Sequence, residues 1–252
     1  MYAGLDPAAV IFTAGLIFAR IGAIVMLLPG FGEPWVPPRI RLSFALAFAF
    51  AAGPMLAGRL PAMPETAGAL AGMVALEALI GLMIGMATRF LLAAGAVAGQ
   101  VIGYQAGLAM AQSFDPSQGQ QGALPATFIN LVFMLLIFAT NLHHLLLRAA
   151  AGSYEMMPAG APPMFEDAAY WALGLFIDAF VIGVQIASPL IVFGLMFYLG
   201  LGVLSRLMPQ AQIFFIAMPL NILVGFSILA MSLGAMALVW LERFERFAVT
   251  LQ

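Results

Sequence analysis

Cysteine and lysine are both absent from the 252-residue sequence. Without a thiol there is no disulfide framework, no thiolate nucleophile and no cysteine-type zinc site. Without lysine, and with 9 arginines spread along the chain, there is no basic surface to neutralise phosphates, which excludes nucleic acid as a partner. Charge of either sign is scarce: charged residues make up 8% of the chain, against about 25% in a soluble domain. Chemistry is equally thin. No nucleophile sits with a base, no carboxylates are paired and no phosphate loop appears, and Gly103 to Gly107 follows no strand that would make it a dinucleotide fingerprint. No metal or cofactor is called for. The opening Met1 to Ala8 carries Asp6 and no basic residue, unlike a secretory signal, so the apolar run after it is expected to stay as a membrane anchor.

What is present is apolar. Hydrophobic residues reach 64% and mean hydropathy is +1.07, more apolar surface than one core of this size hides from water. The expected class is an all-α, polytopic membrane-associated protein, with room for about six to seven bilayer-length elements. Lipid is therefore an expected contact.

The apolar runs are punctuated by proline and glycine. Ala8 to Leu28 is long enough to span, and Pro29 to Arg39 is a rigid break in which Trp35 suits a membrane interface. Leu42 to Leu56 follows, then a turn with Arg59, Pro61 and Pro64. Ala67 to Met110 is read as two helices with a bend or reversal near Arg89, because one helix of that length is about twice the bilayer thickness. Ala111 to Pro125 is the most polar segment. Thr127 to Leu147 is read as a span closing on His143, His144 and Arg148, and Ala149 to Asp167 as an acidic loop. In Ala168 to Leu204, Pro189 either kinks one helix or separates two. Ser205 to Gln210 turns, Ile213 to Leu241 carries Pro219, and Glu242 to Gln252 is an amphipathic tail. Arginine occurs in nearly every connection, so charge bias assigns no orientation.

Three sets of residues stand out. Gly95, Gly99, Gly103 and Gly107 place a glycine at every fourth position, and Gly81 and Gly85 make a shorter pair; such faces let helix backbones approach closely, within the chain or against a partner. Arg20, Glu77, Arg89 and Asp178 are ionisable residues inside apolar runs, where each costs about 2.5–3.5 kcal/mol unless paired or wet. They suit a proton relay or, with more weight, structural ion pairs or contacts to a neighbouring subunit, since a relay needs several acids along one path. His143 and His144 point about 100° apart on a helix, which rules out joint metal binding. Gln100, Tyr104 and Gln105 fit a polar passage or a hydrogen-bonded helix contact equally. The 17 methionines, Met110 beside the polar segment among them, suit gap sealing or plain packing.

Read together, five blocks resemble the FliR family of flagellar biosynthesis proteins and its type III secretion counterpart. They are Ala19-Arg20-Ile21-Gly22-Ala23 with Gly30 to Arg41; Glu77 to Gly85; Ala98-Gly99-Gln100 through Met110 with Asp115-Pro116; His143-His144-Leu145-Leu146 with Ser153; and Arg206 to Gln210 with Phe214 and Pro219. The resemblance runs nearly end to end, as one domain over residues 1–252, and is closer to the flagellar branch. It implies a non-enzymatic subunit of an export gate, assembled with FliP and FliQ, contacted by FlhB and conducting unfolded flagellar substrates. The implied place is the bacterial inner membrane and the flagellar basal body, and the implied fold is a set of helical hairpins with Pro/Gly-broken helices in a helical ring largely above the membrane plane. The resemblance also implies a channel plug at Met110, Gln112, Ser113, Phe114, Asp115, Pro116, Ser117, Gln118, Gln120 and Gln121, consistent with a polar segment that lipid would penalise and a wet lumen would accept. The alternatives are an ion-coupled secondary transporter, for which no internal repeat is found, an injectisome subunit, or a scaffold with no conducting role.

Overall fold

The computed structural model describes residues 7–108, 124–161, 165–209 and 213–251. These are helical, without a strand: α1 (Pro7–Leu27), α2 (Pro38–Leu56), a 3-10 turn (Ala57–Arg59), α3 (Ala67–Gln105), α4 (Leu124–Ala139), α5 (Leu142–Met156), α6 (Phe165–Leu207) and α7 (Ile213–Thr250). The all-α class expected from composition holds. By length and composition α1, α2, α3, α6 and α7 can each cross a membrane, and α4 with α5, bent by 76° at their break, makes a sixth candidate.

Local chemistry sets the ends. Pro7 and Pro38 open α1 and α2 at a position where a missing N–H is harmless and the fixed φ is already helical. Thr66 caps α3 by accepting the Ala69 N–H at 3.3 Å. After α1, Gly30 takes a left-handed φ of 85°, and Phe31 stacks on Phe44 of α2 at 4.9 Å.

Four expectations are corrected and one open alternative is settled. Ala67 to Gln105 is one helix of 39 residues with no reversal at Arg89; the stretch holds no proline, and Arg89 is satisfied in place by groups described below. Of the two alternatives left open at Pro189, one continuous helix is the one found: Pro189 lies inside the unbroken α6, since a proline removes a single amide donor that a long, packed helix can lose. The run from Thr127 to Leu147 is broken at Thr140 and Asn141, where Asn141 adopts a left-handed φ of 59° that asparagine tolerates better than other residues with a Cβ. The expected loop from Ala149 is instead helical to Met156, closed by the Met157 N–H on the Ser153 carbonyl, and the expected tail is the end of α7, whose Phe244, Phe247 and Ala248 are buried.

Two compact units interleave along the chain: Met1–Leu91 with Ile137–Phe176 and Glu245–Gln252, and Leu92–Leu136 with Ile177–Phe244. In the first, α1 buries Leu16, Ile17, Ile21, Ile24 and Val25, and α2, which packs on α1, buries Ala45 and Ala49 fully. In the second, Phe133 of α4 stacks on Trp240 of α7 at 4.3 Å, with Phe244 next in line at 4.8 Å. There α3 meets α4 through glycine: a Cβ on Gly95 would lie 2.9 Å from the Phe133 ring, and one on Gly99 would collide with the Ala126 backbone.

Gly99→Leu is therefore expected to abolish recovery of folded protein, whereas Gly72→Ala, where nothing lies within 4 Å, should stabilise by up to about 1 kcal/mol through helix propensity. Melting in detergent, followed by gel filtration, distinguishes the two; a folded Gly99→Leu variant would refute the close approach.

Candidate functional site

Glu77, Gly81, Gly85 and Arg89 recur every four residues on α3, so they follow one face that drifts about 40° per step. That face meets α1. Glu77 takes the Arg20 Nε at 2.7 Å, and both side chains have 0% exposure. One turn on, a Cβ at Gly81 would collide with the Arg20 carbonyl, and at Gly85 it would stand 2.7 Å from the Leu27 Cβ. A further turn on, Arg89 donates from Nε to the Leu27 carbonyl at 2.7 Å and from Nη1 to Glu33 at 2.8 Å. Because partners on both helices advance in the same direction, α1 and α3 run parallel here. The two ion pairs close the ends of a contact whose middle is glycine.

The Arg20 and Glu77 pair also gathers α5 and the segment after it. Arg20 Nη1 donates to the Met157 carbonyl at 2.8 Å and the Ser153 carbonyl at 3.2 Å, while the Gly160 N–H donates to Glu77 Oε1 at 3.0 Å. The guanidinium lies 4.0 Å from the centroid of the Tyr154 ring, an attractive cation–π arrangement. Two donors are left over: Arg20 Nη2 and the Tyr154 hydroxyl are buried without a hydrogen-bond partner among the described residues. Three of the four ionisable residues singled out by sequence thus sit in ion pairs with short contacts, an arrangement that orders helices and forms no chain of acids among the described residues. Asp178, the fourth, belongs to the other unit, is exposed on α6 and makes no ion pair among the described residues.

The glycine run needs a correction. Gly95, Gly99 and Gly103 are buried along α3, but the helix ends at Gln105 and Gly107 lies beyond it with a left-handed φ of 78°. The stop is chemical: the Gly107 N–H turns back to the Tyr104 carbonyl at 3.1 Å, and Asn221 of α7 donates to the Gln105 carbonyl, also at 3.1 Å. Gln105 lies against Gly194 of α6, where a Cβ would collide with it, while Gln100 and Tyr104 are exposed. His143 rests between the Phe138 and His144 rings, at 5.1 Å and 4.2 Å. Met110, Gln112, Ser113, Phe114, Asp115, Pro116, Ser117, Gln118, Gln120 and Gln121 lie outside the described residues.

Sequence reasoning missed Glu33, Tyr154 and Asn221. Glu33 was hidden in a proline-rich break, yet a carboxylate there, with Arg89 the next free cation in apolar sequence, was a usable signal. Asn221, two residues after Pro219 in an otherwise apolar run, was another.

A family model described as bacterial export proteins, family 1, matches residues 11–247. The chain belongs to that family. Its relatives include the flagellar biosynthetic protein FliR of Caulobacter vibrioides, 42% identical over 93% of this chain and 94% of the relative. The proteins of the same name from Escherichia coli, at 33% identity over 84% of this chain and 80% of the relative, and Bacillus subtilis, at 31% over 89% and 87%, are similar as well. The resemblance to the FliR family drawn from five sequence blocks is borne out. All the residues of the α1–α3 contact described above lie within the span that the export-protein family model covers.

Removing either member of the buried pair strands the other. Arg20→Met or Glu77→Met should each destabilise by about 3–5 kcal/mol. The Arg20→Met/Glu77→Met double variant should recover much of that without reaching the native value, since the Ser153, Met157 and Gly160 backbone groups still lose partners. Tyr154→Phe should be neutral or slightly stabilising, because the ring keeps its place over the guanidinium and a stranded hydroxyl is removed. Denaturant or thermal melts of the four variants decide this; additive losses in the double variant would refute a coupled pair.

Proposed function

We propose that this export-family member is a subunit of the flagellar type III protein export gate, held in the bacterial inner membrane with FliP and FliQ, contacted by FlhB, and placed around a path for unfolded flagellar substrates. The role is non-enzymatic: the chain builds and helps close a pore. The observation that carries this reading is the 42% identity to a flagellar FliR protein over nearly the whole of both chains. Physical support comes from the apolar surface. Long stretches of α6 and α7 remain exposed, including Leu199, Leu223 and Met231, the last at 87%, and such faces need lipid or neighbouring subunits to cover them. Residues 1–252 are taken to act as one gate domain, with the described glycine faces ordering its helices.

Within this reading, the segment from Met110 to Gln121 is the channel plug. A stretch of glutamine, serine and aspartate between apolar helices is costly in lipid and acceptable beside water. No specific observation favours a solitary transporter.

Affinity purification from a motile host should recover a stable complex of this chain with FliP and FliQ, and its deletion should abolish flagella in a manner restored by the wild-type gene. Recovery only as a monomer, with motility intact in the deletion strain, would defeat the proposal. Removing Ser113 through Gln121 should raise the ion conductance of the reconstituted complex in planar bilayers; unchanged conductance would remove the plug role while leaving the gate assignment in place.

A further inference from the structure

Between Leu173 and Phe197 α6 carries three polar side chains that can only hydrogen-bond or pair: Asp178, Gln185 and Ser188. At about 100° per residue they fall within about 80° of one another, so they form one stripe. All three are exposed, and none has a side-chain partner among the described residues. The opposite side of the helix is the packed one. A Cβ on Gly183 would lie 2.7 Å from Val97 of α3, one on Gly194 would collide with Gln105, and Ile186, Ala187 and Leu190 are buried. Gly183 and Gly194 are about 140° and 160° round the helix from Asp178. Between Leu173 and Phe197, the polar side chains of α6 thus lie on its exposed side, away from the packed face.

The same stripe holds exposed aliphatic residues, Val181, Val192 and Leu199, at 44%, 57% and 64%. Lipid would suit these and penalise the carboxylate by about 2.5–3.5 kcal/mol at mid-helix. Water would suit the carboxylate and leave the aliphatic residues unburied. A neighbouring apolar helix with a basic side chain satisfies both, because aliphatic contacts and polar cross-links together make a membrane helix interface, and a partly desolvated acid gains most from a cation.

We propose that this stripe is a docking surface for an apolar helix of another subunit, whose arginine or lysine pairs with Asp178 and whose polar side chain, about 10–15 Å along the axis, hydrogen-bonds Gln185 and Ser188. The inference rests on the export-gate reading for the existence of the neighbour and adds its chemistry.

The absence of cysteine makes the test clean. Val181→Cys leaves Asp178 in place and introduces this chain's only thiol, whose labelling is read on the band of this chain after the subunits are separated under denaturing conditions. In the purified complex it should resist both a charged, water-soluble thiol reagent and a lipophilic maleimide, and in the isolated chain it should react. Reaction with the charged reagent in the complex would show a water-lined face, and reaction with the maleimide alone a lipid-facing one; either overturns the proposal. In parallel, Asp178→Asn should lower co-purification of the other subunits by about tenfold or more and Asp178→Glu should restore it, with gel filtration of the isolated chain confirming that the variants fold. Undiminished co-purification of Asp178→Asn would overturn this inference alone. A wild-type chain that brings down no other protein would overturn the export-gate reading with it.

Discussion

A guanidinium and a carboxylate shut away from water are stable only together, and Arg20 and Glu77 meet across the contact of α1 with α3. The geometry around them is set by that requirement. Glu77 positions α3 along α1, and Arg20 reaches two carbonyls at the end of α5, so three helices and the segment carrying Gly160 converge on one pair of charges. Apolar helices slide and rotate against one another at little cost. A single buried pair gives their packing a register, because a shift of one turn separates two opposite charges that are both shut away from water.

Glycine makes that register reachable. Gly81 and Gly85 let the backbone of α3 come down on α1, and Arg89 then finds the last carbonyl of α1 and the carboxylate of Glu33 in the following break. The rigid segment between α1 and α2 is thereby tied to α3 as well as to the helices it joins. In the second unit the balance differs: no ion pair is involved at the contact of α3 with α4, where Gly95 and Gly99 admit Phe133 and Ala126 directly. Sterics replace electrostatics there.

Much of this was legible beforehand. Composition is enough for the helical, membrane-associated class, and the four-residue spacing of Glu77, Gly81, Gly85 and Arg89 already puts those residues on one face. Pairing was harder, because Arg20 and Glu77 are 57 residues apart and no local rule links them. The helix boundaries misled for two physical reasons. Reading each apolar run against the thickness of a bilayer imposed a break at Arg89 that the chain has no need to make, since the charge is neutralised in place. In the other direction, an unremarkable Thr140-Asn141 pair breaks a run with neither proline nor glycine, through a left-handed asparagine that periodicity does not reveal.

The length of α3 has a consequence for the life of the protein before it is assembled. Its 39 residues extend about 58 Å, and confining that within a hydrocarbon layer of about 30 Å would require a tilt near 59°, beyond the observed range of about 0–40°. A good part of this oily rod must therefore project past the acyl chains, where only protein can keep it dry. In the proposed gate, neighbouring subunits cover that surface, so a copy not yet assembled carries an adhesive apolar face into water.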